Sequence, residues 1–400
     1  MVPSVTAVSD PVGQSSGMLG LLTSMVRLEA SDLFLTVGAC ATVKVEGRMI
    51  ALSDKPFARG AVWELARSIM TPAQIAQFER DLECDLALTL DRLGRFRFNV
   101  YVQRGEVSMV VRHVRNQVPS FAALGLPPIL ESLALARQGL VLVVGAAGSG
   151  KSTTLAAMLE LRNQRAPGHI LTVEDPIEYL HTHGLCIVDQ REVGLDTRSF
   201  ANALRHALRE APDVIMIGEI RDEETMRHAL HYAETGHLCV STLHANNANQ
   251  AIDRVINFFP DNVRRQVLLD LSLNLRGIVA QRLVQGAQGK RVLASEVMLR
   301  SSFIADLIQR GHVDELKAAI GKSNEVGMHS FDQSLYDLYL RREISLEQAL
   351  EYADSRTDLA LRVRLARGLP PDEVRKGMAA LGAGDPIDIT PSRRRRPSKG

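Results

Sequence analysis

The run Gly145-Ala146-Ala147-Gly148-Ser149-Gly150-Lys151-Ser152-Thr153 satisfies the spacing G-x-x-x-x-G-K-[ST]. That spacing suits one task, the cradling of phosphate groups. Backbone N–H groups must curl around phosphate oxygens, and glycines leave room where a Cβ would block the approach. Lys151 supplies a point charge for the β- and γ-phosphates, and the Ser152 hydroxyl is a ligand for magnesium. The helix expected from Ser152 onward adds roughly half a positive charge beside the same phosphates. The implied ligand is a nucleoside triphosphate with Mg2+, held by Gly145 to Thr153.

Carboxylates stand at the ends of two other apolar runs. Ile170 to Val173 leads into Glu174, Asp175 and Glu178, and Val214 to Ile217 leads into Gly218-Glu219. Ligands of open α/β sheets gather at the C-terminal ends of strands, so these acids belong beside the phosphates. One carboxylate there can polarise an attacking water, while Glu174 and Glu219 reach magnesium, partly through water. The Val214 to Glu219 run fits a Walker B strand, with Glu219 where Asp is the commoner acid. His244 follows Leu238 to Thr242 and reads either as a donor sensing the γ-phosphate or as a structural histidine. His228, His231 and Glu234 share a helix face, which is either a metal site or a plain polar face.

These residues need a sheet to hold them in register. Leu140 to Val144 is a continuous valine-rich run, as in a strand covered on both faces. With Ile170–Val173, Val214–Ile217 and Leu238–Thr242 it alternates with helical segments, the layout of a doubly wound α/β P-loop sheet. Leu271, Leu275, Ile278 and Val279 follow helical spacing, so the C-terminal third is expected to be helical. Ser345 and Gln348 form a capping-box pair that opens a late helix. Upstream, residues 20–115 read as an α+β domain. In its strand Arg95 to Val100, Phe96, Phe98 and Val100 face inward, leaving Arg95 and Arg97 on the other face, with Arg112 on the next strand. Those arginines are either a functional face or a solvated one.

The expected divisions are a disordered leader at 1–19, the α+β domain at 20–115, a proline-bearing linker at 116–128, a P-loop domain at 129–370 and a disordered tail at 371–400. The tail carries Arg393 to Arg396, which are either solvated or meet an anionic partner such as lipid or nucleic acid. Across 400 residues the formal net charge is +1, so no global field draws the chain to nucleic acid or membrane. Cys40, Cys84, Cys186 and Cys239 are far apart and form no C-x-x-C pair, which argues against a disulfide framework and a zinc module. No apolar run approaches the roughly 18 to 20 residues of a membrane span. The start lacks the pattern of a signal peptide. A cytoplasmic protein is expected.

Taken in order, GAAGSGKST, ILTVEDPIEYLH, PDVIMIGEIRD and GHLCVSTLHANNANQAIDRVINFFP resemble the Walker A, Asp, Walker B and His boxes of the type II/IV secretion ATPases. Within that family the chain resembles the PilT/PilU twitching-motility group, and its PilU branch most, from about Gly20 to Leu365. The resemblance implies a RecA-like ATPase domain preceded by a PAS-like domain. It implies an ATP-hydrolysing homo-hexamer at the cytoplasmic base of a type IV pilus, peripheral to the inner membrane. Its partners there would be a PilT-like ATPase and the inner-membrane platform protein, with no specific nucleic acid. Glu178 matches the family's catalytic glutamate, Glu219 its Walker B acid and His244 its His-box residue. Arg95, Arg97 and Arg112 match arginines that reach the phosphates from the first domain. Ala146-Ala147 departs from the usual Pro-Thr at variable positions. The segment Phe303-Ile304-Ala305-Asp306-Leu307-Ile308 departs from the Ala-Ile-Arg-Asn-Leu-Ile box of PilT, because Ala305 replaces the arginine.

Two other classes use a P-loop. A nucleic-acid motor would be expected to carry a basic groove interleaved with aromatics, and the near-neutral balance speaks against it. A metabolic kinase would need neither the first domain nor a ring.

Overall fold

A computed structural model of the chain describes residues 17–366, apart from residues 46, 92, 115, 116 and 288. Almost all of the expected leader, and the tail with Arg393 to Arg396, lie outside the described residues. The first helix, Met18–Arg27, starts two residues before the expected Gly20, and Met18 is buried. The structure is built on two sheets.

The first sheet comprises β1 (Asp32–Thr36), β2 (Thr42–Val45), β3 (Arg48–Ala51), β4 (Glu83–Leu90), β5 (Gly94–Gln103) and β6 (Glu106–Val114), in the antiparallel order β3-β2-β1-β6-β5-β4. One face packs on helices Met18–Arg27, Ala61–Arg67 and Pro72–Asp81, burying Leu22, Leu33, Phe78, Phe96 and Phe98 together. Period two on β5 buries Phe96, Phe98 and Val100, as expected, and turns Arg95 and Arg97 to the opposite face. Trp63 stacks on Phe78 with ring centroids 5.0 Å apart.

The second sheet comprises β7 (Gly139–Val144), β8 (Gly168–Glu174), β9 (Cys186–Glu192), β10 (Val214–Ile217), β11 (Leu238–Leu243), β12 (Leu275–Gln285) and β13 (Arg291–Leu299). Its order is β13-β12-β7-β11-β10-β8-β9, parallel throughout except for the edge strand β13. Side chains alternate between two apolar layers. Leu140, Leu142, Leu171, Ile215 and Cys239 pack towards helices Phe200–Ala207, Glu223–Glu234 and Ala248–Asn257. Val141, Val143, Ile170, Val214 and Val240 pack towards helix Lys151–Arg165 and the short helix Ile129–Ala134. Helices on both faces of a parallel sheet explain why every residue of β7 is buried and why its sequence is apolar without alternation. The fold is the α/β, RecA-like arrangement expected of a secretion ATPase.

One reading of the C-terminal third needs correction. Helix Arg264–Asn274 ends before Leu275, and Leu275, Ile278 and Val279 lie on β12 beside β7. All three are buried within the sheet, and a run covered on both faces carries no period that separates strand from helix. The helical expectation holds beyond β13, where Ser345 and Gln348 make the capping box that opens helix Leu346–Tyr352. The last described helix, Arg356–Ala366, buries Leu359 and Val363 in the main core of its own chain.

Candidate nucleotide site

The P-loop links β7 to helix Lys151–Arg165, so strand and helix aim its backbone at one point. Its glycines are dictated by space and by backbone conformation. A Cβ on Gly145 would collide with Ser149 Oγ and come within 2.7 Å of the Gln281 carbonyl. Gly150 caps the helix at φ +91°, a left-handed conformation that favours glycine. Lys151 Nζ donates to the Gly145 and Ala146 carbonyls at 3.0 Å each. Burial lowers its pKa, against the raising influence of Glu219 and Glu178.

A cavity of about 270 Å3 opens over this loop, bounded by Gly148, Lys151, Ser152, Glu174, Asp175, Glu178, Glu219 and His244. Sheet order accounts for the gathering. β7, β11, β10 and β8 are successive neighbours and parallel, so the loops after them leave on one edge. His244 Nε2 lies 3.2 Å from Glu219 Oε1, and Arg221 Nε donates to Glu219 Oε2 at 2.9 Å. Arg221 was not singled out in the sequence, although the box containing it, PDVIMIGEIRD, was.

The loop carrying Glu178 is tied down on both sides. Tyr179 Oη and Thr153 Oγ1 are 3.0 Å apart, which joins the loop to the P-loop helix. Gln190, on β9, donates to the Tyr179 carbonyl at 2.9 Å and to Glu174 Oε1 at 3.2 Å, and accepts from the His181 N–H at 2.8 Å. Neither Gln190 nor β9 was anticipated. Its sequence, CIVDQRE, alternates only at Cys186 and Val188 before turning polar, because the inward positions 190 and 192 carry contacts to loops and to the other sheet instead of core.

Glu174 is buried, and its pKa is raised to about 7. Burial is the main cause, opposed by hydrogen bonds from Thr172 and Gln190. A carboxyl whose folded pKa lies above its unfolded value contributes stability fully below the unfolded value, and that contribution is lost as pH rises through the folded value. Between an unfolded pKa near 4.5 and a folded one near 7, the loss amounts to roughly 3 kcal/mol. Glu174→Gln, which keeps the acceptor oxygen, is therefore expected to raise the melting temperature at pH 8 more than at pH 5. An equal change at both pH values would show that Glu174 carries no buried charge.

The arginines do not border the phosphate cavity. Arg97 and Arg112 line a neighbouring cleft of about 900 Å3, which Pro176, Ile177, Glu178 and Tyr179 close from the other side. Glu178 and Tyr179 border both spaces. Arg112 pairs with Asp32 across the β1–β6 register at 2.9 Å with its side chain largely exposed, an arrangement worth about 0–1 kcal/mol. Arg95 and Arg97 both pair with Glu192 at the end of β9. At the candidate metal face His228, His231 and Glu234, Tyr232 stacks beside His228, and the described residues hold no cluster of three or more metal-ligating side chains. All four cysteines are free.

A P-loop after the central parallel strand β7, with acids at the ends of β10 and β8 further along the same sheet, defines a P-loop nucleoside-triphosphate protein. Comparisons with known proteins narrow the class. The family described as type II/IV secretion system protein matches residues 21–335. The type IV pilus ATPase PilU of Pseudomonas aeruginosa is 48% identical over 371 residues, 92% of this chain and 96% of that protein. PilT of the same organism, a type IV pilus retraction ATPase, is 40% identical over 333 residues, 83% of this chain and 97% of that protein. The crystal structure of the pilus retraction motor PilT with bound ADP superposes with a TM-score of 0.79 at 41% identity, covering 85% of this chain and 97% of that one. The chain belongs to the type II/IV secretion ATPase family, in its PilT/PilU group of type IV pilus ATPases. Among the described residues no helix is long and apolar enough to cross a membrane.

Proposed function

We propose that this chain is an accessory retraction ATPase of a type IV pilus, a homo-hexameric ring that turns ATP hydrolysis into domain movement beside a PilT-like motor. It would act in the cytoplasm, against the platform protein of the inner membrane. The observation that carries the reading is Glu178 at the junction of two spaces, one over the P-loop and one facing the arginines of the first sheet. A base so placed can couple the chemical step to the position of a mobile arginine-bearing domain.

In this reading Gly145 to Thr153 hold the phosphates and Lys151 neutralises charge on the γ-phosphate. Glu178 accepts the proton of the attacking water, and Gln190 and Tyr179 fix the backbone that carries it. Arg95, Arg97 and Arg112 approach the phosphates from the first sheet and offset charge that builds in the transition state. His244 and Arg221 hold Glu219 in place. The donor set suits Mg2+. Ser152, Glu219 and, through water, Glu174 offer hard oxygen ligands, and Mg2+ needs only one or two protein ligands because the nucleotide supplies others. A magnesium ion held by these oxygens would supply positive charge that offsets the charge of the triphosphate.

The accessory role is supported by the 48% identity to PilU and by Ala305. Ala305 lies on helix Ser302–Arg310 and is half-buried. An arginine there could make a bidentate contact to a partner carboxylate, which alanine cannot replace. The helix Arg356–Ala366 turns Leu359 and Val363 into the core of its own chain, so neither is open to a partner.

The test is pilus retraction in cells that make this chain but lack the PilT-like motor. The expected result is loss of retraction with ATPase activity of the purified chain intact. Vigorous retraction under those conditions would make it a primary motor.

A further inference from the structure

We propose that Glu192 is a parking site for Arg95 and Arg97, a carboxylate of the same chain that competes with nucleotide phosphate for both guanidinium groups. This rests on the reading that these arginines serve the phosphates.

Glu192 ends β9 in the second sheet, is 2% exposed, and faces β5 of the first. Arg95 Nη2 lies 3.3 Å from its Oε2, and Arg97 Nε lies 3.2 Å from its Oε1. One carboxylate is thus divided between two cations, Arg95 through a hydrogen bond from Nη2 and Arg97 through an ion pair at Nε. Both distances exceed the roughly 2.7–2.9 Å of a strong charge-assisted hydrogen bond. Arg95 Nε is buried with no hydrogen-bond partner. A guanidinium held this way is under-satisfied, and a phosphate that offers several oxygens is the better partner.

The carboxylate itself sits on a fixed base. The Glu192 N–H donates to Asp196 Oδ2 at 2.8 Å, and the N–H of Val193 donates to the Glu174 carbonyl at 2.8 Å. The parts free to leave are the arginines, carried by the other sheet. Two residues back along β9, on the same face, Gln190 grips the loop that carries Glu178. One strand therefore touches both the arginines and the catalytic loop. When the arginines leave, a buried carboxylate is stranded without a partner, which opposes their departure. Glu192 accordingly raises the ATP concentration needed to draw them over, and keeps the arginines together while no phosphate calls for them.

The experiment is steady-state ATP hydrolysis by the full chain against ATP concentration at constant salt. Glu192→Gln removes the competing charge at nearly the same size. The KM for ATP is expected to fall by about threefold to tenfold, the scale of one ordinary net hydrogen bond, as suits two long contacts. In Arg95→Gln/Arg97→Gln/Glu192→Gln the fall should disappear, because the gain operates through the arginines. Should Glu192→Gln not fold, Glu192→Asp keeps the charge but shortens its reach, and KM should fall in the same direction by less. An unchanged or raised KM in the folded Glu192 variants overturns the proposal, as does a fall that survives in the triple variant. If Arg95→Gln/Arg97→Gln alone has parental turnover and KM, the arginine reading itself fails and takes the parking site with it. If that double variant is slow while Glu192→Gln changes nothing, the arginines keep their role and Glu192 is only a structural partner.

Discussion

Lys151→Ala is expected to lower ATP turnover by about 10³, the scale of losing one electrostatic contact that acts where charge builds up. The ammonium group is nearly buried, and burial lowers its pKa, so it is a desolvated charge at the floor of the cavity. In the proposed function it is the cation nearest the γ-phosphate, and water cannot replace it without restoring the screening that the site excludes. The fold should survive. The substitution unties the Gly145 and Ala146 carbonyls, at about 1–2 kcal/mol, but it places alanine at the start of a helix and removes a buried charge. A thermal melt within a few degrees of the parental value, with hydrolysis gone, is the expected pair of results. Near-parental turnover would mean that the phosphates bind elsewhere.

Glu178→Gln is expected to keep nucleotide binding and lose hydrolysis by about 10² to 10⁴, the range attached to a general base. The side chain is exposed between the two spaces, so the amide changes stability by no more than about 0.5 kcal/mol. An amide accepts a hydrogen bond from water but not its proton. Binding of a fluorescent ATP analogue at parental affinity, together with absent phosphate release, would match the role. Lost binding would instead place Glu178 among the groups that hold the nucleotide. The Glu174→Gln melt separates the neighbouring carboxylate from this one, because its signature is a pH-dependent stability and not a rate.

Much of the catalytic half could be read from the chain because its signals are local. The P-loop, the two acid-tipped strands and the histidine after β11 are each a few contiguous residues whose apolar approach and polar end mark a strand reaching a site. What failed was periodicity where burial is complete. Leu275, Ile278 and Val279 matched a helix by spacing and lie in a strand, because a strand covered on both faces imposes no alternation. β9 escaped for the opposite reason. Its inward face turns polar at Gln190 and Glu192 because it touches a loop and a second sheet in place of apolar core.

The sequence by itself determined where the P-loop lies and which acids stand at the ends of nearby strands, since those depend on residues adjacent along the backbone. It also settled which face of β5 carries the arginines, because alternation on a half-buried strand needs no partner to be read. Only the tertiary structure decided where those arginines rest. They share Glu192, 95 residues after Arg97, at a place created by the meeting of two sheets. A pairing between sheets leaves no local trace in either strand, because each charged side chain alone looks like any residue turned to solvent.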